Sequence, residues 1–117
     1  MVIVNKTGEV DFFKSYDTYR KRSDAVELNE KLLESSIGPE DIILIATGDA
    51  VNRYLEVAKE GIESILCNNT LPILKTRDTL TVIGSKARPC PPWFFMKHLP
   101  AGQGPGIVET SVNLIST

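Results

Sequence analysis

Apolar positions along this chain recur at two periods, and the switches between them outline its elements. Val2, Ile3 and Val4 start a strand, and NKTGE turns the chain, because Asn5 and Gly8 suit a hairpin loop. VDFFKSYDTY, from Val10 to Tyr19, continues as a second strand rich in aromatic residues and ends at the basic break Arg20 to Arg22. The period then lengthens. Ala25, Leu28 and Leu32 recur at helical spacing with Val26, Leu33 and Ile37 beside them, while Glu27, Glu30, Lys31 and Glu34 cover the other face. Ser23 and Asp24 supply a cap and a first-turn acid, and Gly38–Pro39 stops this helix.

DIILIAT, from Asp41 to Thr47, is a nearly continuous apolar run, as expected of a central strand buried on both faces. A second helix begins near Ala50. Its stripe is Val51, Tyr54, Leu55, Ala58, Ile62, Ile65 and Leu66, and Asp49 stands at its N-cap position. CNNTLP is a loop. From Thr79 the chain alternates again, with Leu80, Val82 and Gly84 on one face and Thr79, Thr81 and Ile83 on the other. Between Ala87 and Gly106 five prolines and three glycines surround PPWFFM. That predicts an irregular loop, too rich in aromatic side chains to float free in water, whose Trp-Phe-Phe run closes an open end of the core. GIVETSVNLI alternates well enough for a last strand. The order of strands and helices, with no repeat and no linker, predicts one domain in which helices pack on a sheet.

Length and charge narrow the partners. A chain of 117 residues, 42% apolar and 24% charged, forms one soluble-type domain with a modest core. The net charge of -2 with interspersed signs offers no basic field to nucleic acid. No apolar run approaches the length of a membrane span. The opening MVIVNKTGEV lacks the basic start and apolar centre of a signal peptide, so an intracellular protein, a virion protein or a domain of a longer chain is expected. Cys67 and Cys90 are expected as two unpaired, partly buried thiols.

Catalytic chemistry finds little support. His98 is the only histidine and has no nucleophile motif around it, and Cys90 lies between prolines with no helix start to lower its pKa. Both are expected in an exposed loop. Metal-ligand spacings are absent, and Asp17, Asp49 and Asp78 are three scattered carboxylates among fifteen acids. GQGPG is followed by a strand-like segment, so a flexible turn is favoured over a phosphate cradle. In KTRDTLTVIGSK, Arg77 and Asp78 stand at the mouth of a core strand. They either pin a turn or hold something from outside.

Several segments, taken in order, resemble the ILEI/PANDER (GG) domain family of the interleukin-like EMT inducers and pancreatic-derived factor. The same domain forms the stem of the O-mannose β-1,2-N-acetylglucosaminyltransferase. The matching residues are Val4-Asn5, Thr7-Gly8, Tyr16-Asp17-Thr18-Tyr19, Asp49, Arg77-Asp78-Thr79, Gly84 and Lys86. The resemblance implies an α+β fold, a compact sandwich of two β-sheets flanked by two helices. It implies no catalysis, no cofactor and no metal. The residues that bind a sugar in the glycosyltransferase stem match Lys14, Asp49 and Arg77. A carboxylate accepts from adjacent hydroxyls and a guanidinium donates in a fixed fork, while Asp78 orients Arg77 or the turn. The chain departs from the family at Leu80, where the family has tryptophan, at Thr76 and at Ala87. Trp93 is the candidate replacement for the missing ring. The family's cysteine-bearing strands that precede this position are not in the sequence: either they have been trimmed away, or a neighbouring chain is expected to supply them at an open sheet edge at Val2 to Val4.

Two readings follow. The first is a non-catalytic carbohydrate-binding or surface-recognition module for a glycan or glycoprotein. The second is a structural or assembly protein of a phage virion (a decoration, tail or fibre component) acting through protein contacts, as a homo-oligomer or with a partner. A virion or extracellular appendage is favoured over a cytoplasmic protein.

Overall fold

A computed structural model describes residues 1–47, 53–75 and 77–100. Five strands form one antiparallel sheet in the order β2-β1-β3-β4-β5. These are β1 (Val2–Val4), β2 (Val10–Phe13), β3 (Ile42–Ala46), β4 (Thr79–Gly84) and β5 (Phe95–Leu99). Helix α1 (Arg22–Leu32) joins β2 to β3, and a 3-10 turn (Leu55–Ala58) running into α2 (Lys59–Glu63) lies between β3 and β4. The fold is α+β. The second sheet of the expected sandwich is not among the described residues, and the segment 106–115, expected as a last strand, lies outside them, as does GQGPG.

The apolar pattern explains the core. Ala25, Leu28 and Leu32 are buried on α1, and Ile62, Ile65 and Leu66 on and after α2. They meet Ile3, Ile43, Ile45, Leu80 and Val82, which the strand register places on one face of the sheet. Full burial of one such side chain contributes about 1.5–3 kcal/mol. The two helices touch closely at Gly61. A Cβ there would lie 2.9 Å from the Asn29 carbonyl oxygen, and the Gly61 N–H donates to Asn29 Oδ1 at 2.6 Å.

Several expectations need correction. The second strand stops at Phe13, because the Asp17 carboxylate folds the chain back by accepting from the N–H groups of Tyr19 and Arg20. Ser23 is not a cap: α1 begins two residues earlier than that would place it, with Lys21 at the N-cap and no side-chain cap. Asp24 is the first-turn acid as expected, and it also reaches back to accept from the Asp17 N–H at 2.8 Å. The helix ends at Leu32, before Gly38–Pro39. The region 87–106 is not a continuous loop, since Phe95–Leu99 pairs with Thr79 to Ile83 of β4. Of the Trp-Phe-Phe run, Phe94 packs against the core, together with Met96. Cys67 and Cys90 form a disulfide with their Cα atoms 5.5 Å apart. Finally, β1 is no edge, because β2 and β3 flank it. Among the described residues the edges are β2 and β5.

Candidate ligand-binding site

The strand register decides which expected site residues can meet. Lys14 follows β2, Thr47 follows β3 and Arg77 precedes β4, and the pairing of these strands puts all three positions at one end of the sheet. Asp49, two residues past Thr47, lies outside the described residues, as do Ala50, Val51 and Thr76. Trp93 is half-buried and stands before β5, at the end where Ile83 pairs with Phe95. Arg77 stands at the other end, where Thr79 pairs with Leu99. At 3.3 Å per residue the two are separated by about 20 Å. Trp93 therefore does not stack on a ring that Arg77 holds.

Arg77 and Asp78 are neighbours with opposite fates. Asp78 is 5% exposed. Its Oδ2 accepts from the Lys75 N–H at 3.0 Å and lies 2.9 Å from His98 Nε2. The Asp78 N–H in turn donates to the Lys75 carbonyl at 2.9 Å, so the turn is closed from both sides. Arg77 is exposed and holds a left-handed backbone at φ 68°. Among the described residues its guanidinium has no hydrogen-bond or ion-pair partner. A left-handed arginine is strained, and such strain persists only where neighbouring contacts enforce it. The buried Asp78 supplies those contacts.

Asp78→Ala is therefore expected to lower stability by about 2–3 kcal/mol in urea denaturation, the range for buried hydrogen bonds to a charged group. His98→Ala, which leaves the Lys75 bond in place, is expected to cost less than half of that.

Lys14 is more occupied than expected. Its ammonium pairs with Glu27 and sits 5.3 Å from the centre of the Tyr16 ring. Beside it, a cleft of about 260 Å³ opens between Ser15–Thr18 and the joined ends of β3 and β4. Its floor is Leu28, Ile45, Leu55, Ile62 and Leu80, and Tyr16, Thr18 and Thr47 stand in its wall. Burial pushes the Tyr16 phenol up to about 12, and the charges of Glu27, Asp24 and Glu34 add to the shift. The described residues hold no group of three acidic, cysteine or histidine side chains fit for a metal ion.

Two features were missed in the sequence. His98 is on a strand facing Asp78, not in an exposed loop. The alternation of Met96 and His98 against Phe95, Lys97 and Leu99 carries that signal, but the flanking prolines mask it. The Tyr16 cleft has no sequence signal, because its wall comes from segments far apart in the chain.

The model of the interleukin-like EMT inducer family matches residues 1–88. No curated protein and no solved structure matches the chain.

Proposed function

Because the chain belongs to the interleukin-like EMT inducer family, whose domains are generally non-catalytic, we propose that it is a recognition module for a glycan or glycoprotein. Arg77 would be its principal contact. The observation that carries this reading is the outward-facing guanidinium, free of partners among the described residues and held on a strained backbone by a buried carboxylate. An arginine serving only the turn would be expected to bond back to it. Lys14 lies at the same end of the sheet, and Asp49 follows the strand that ends there. Their long and short polar side chains suit the hydroxyls of a sugar, with the guanidinium donating to a ring or substituent oxygen. A glycan array probed with the purified chain should give a defined set of hits that Arg77→Ala removes. A blank array, or hits unchanged in the variant, contradicts the reading.

The disulfide bears on where the module works. Such bonds persist in oxidising surroundings, which supports a virion or extracellular setting over the cytosol.

A second reading, assembly through protein contacts, has its own support. Edge strand β2 exposes Val10 at 61% and Phe13 at 73%. The other edge is blunted by Lys97, His98 and Pro100, in the manner of strands that avoid pairing. On the outer face the half-buried Val2 and Leu44 continue the apolar surface that Phe13 begins, as far as the buried Ile83. The partner this edge fits is a second copy of the chain, joined β2 to β2 in antiparallel fashion. Phe13→Lys is then expected to shift a concentration-dependent dimer to monomer in light scattering. A chain that stays monomeric at millimolar concentration rules out this reading and leaves the first untouched.

A further inference from the structure

The chain carries two Asn-x-Thr triplets, Asn5-Lys6-Thr7 and Asn68-Asn69-Thr70, the pattern to which N-linked sugars are attached. The pattern alone does not tell them apart, but the structure does. Asn5 is half-buried and its side-chain amide is used at both ends. Its Oδ1 accepts from the Thr7 N–H at 3.0 Å, the Thr7 hydroxyl at 2.6 Å and the Glu9 N–H at 3.0 Å. Its Nδ2 donates to Asp11 Oδ1 at 3.0 Å. These bonds build the turn between β1 and β2, so a sugar on Nδ2 would compete with the hairpin.

Asn68 is the opposite case. Asn68, Asn69 and Thr70 are all exposed, in the stretch that follows α2. The side chains of Asn68 and Thr70 make no hydrogen bond to the described residues. Asn69 fastens the turn instead, donating to the Leu66 carbonyl from its N–H at 2.9 Å and from its Nδ2 at 2.8 Å. Asn68 itself takes a left-handed backbone at φ 66°, a region that asparagine adopts readily.

The residue before it supplies a second observation. Cys67 is bonded to Cys90. Disulfides form in oxidising compartments, and the lumen that oxidises secreted chains is also where N-linked sugars are attached. Chain order favours the attachment. The Asn68 triplet is synthesised before Cys90, so it reaches the lumen before the disulfide can fasten it.

We propose that Asn68 is an N-glycan acceptor. Its Nδ2 bonds to the anomeric carbon of a sugar carried on a lipid diphosphate. The bond from that carbon to the diphosphate breaks, the diphosphate leaves with the electron pair, and the amide gives up one proton to the transferase. Nothing is oxidised or reduced. The attachment point lies near the Gly84 end of β4, where Ile65 meets the strand, whereas Arg77 stands at the Thr79 end. The proposal therefore does not rest on the recognition reading.

The full chain, secreted from cultured eukaryotic cells behind a cleavable leader, tests it. The secreted protein is expected to run as a heavier species that peptide N-glycosidase returns to the mass of the bare chain. Mass spectrometry should place the resulting Asn-to-Asp conversion at Asn68 and not at Asn5. Thr70→Ala, which keeps the Asn68 backbone, should lose the heavier species, and Asn5→Gln should keep it. A secreted chain with its disulfide formed and no glycan overturns the proposal. So does a conversion at Asn5, alone or beside Asn68. The wild-type peptide map decides the matter alone if either variant does not fold.

Discussion

Gly84→Ala will lower the stability of the domain by about 3 kcal/mol, at the upper end of what overpacking a core costs. Gly84 ends β4 opposite Ile43, and its α-carbon faces the segment after α2. A Cβ built there lies 2.2 Å from the Ile65 carbonyl oxygen and 3.3 Å from its carbon. The obstacle is backbone, and Ile65 itself is fully buried, so neither side can yield by a rotamer change. Either β4 parts from β3 or the 64–66 turn lifts from the sheet. For a domain of this length the melting temperature should fall by about 10 °C. A loss below about 1 kcal/mol would mean that the Ile65 carbonyl is not where this packing puts it.

Reduction of the disulfide should have an effect of similar size through a different cause. Cys67 and Cys90 are 23 residues apart. Closing a loop of that length removes chain entropy from the unfolded state worth about 3 kcal/mol at 25 °C. The loop encloses β4, so the bond ties the segment after α2 to the chain that leads into β5. Cys67 and Asn68 both take left-handed backbone, at φ 55° and 66°. Asparagine adopts this region readily, but for Cys67 it is uncommon, and the bond to Cys90 holds that residue in place. Urea unfolding with and without reductant measures the effect, and Cys67→Ser with Cys90→Ser should reproduce the reduced midpoint. An unchanged midpoint would mean that the two thiols are not bonded in solution.

The parts of this fold that were legible from sequence are those where burial follows a simple period. Ala25, Leu28 and Leu32 announced α1, DIILIAT announced the middle strand, and Leu80, Val82 and Gly84 faced the core as their alternation required. Boundaries were less legible, because side chains decide them locally. The Asp17 carboxylate ends the second strand early, and Asp24 joins that turn from within the helix. Strand β5 was hidden by the prolines on both sides of it. The disulfide was hidden because spacing does not report proximity. At the site, resemblance pointed to Lys14 and Arg77, and the register does bring them to one end. It does not bring Trp93 there. The resemblance already gave Asp78 an orienting role beside Arg77, but its burial and its bonds to Lys75 and His98 needed coordinates.

The most direct measurement of the central claim is made on Arg77→Gly, with glycan binding and melting temperature read on the same preparation. Glycine accepts the left-handed backbone without strain. If Arg77 exists to meet a ligand, the variant should melt at the wild-type temperature or a few degrees above it, by about 1 kcal/mol of relieved strain, and bind no glycan. A variant that melts lower, in a protein that binds no glycan to begin with, would return Arg77 to the turn and contradict the account.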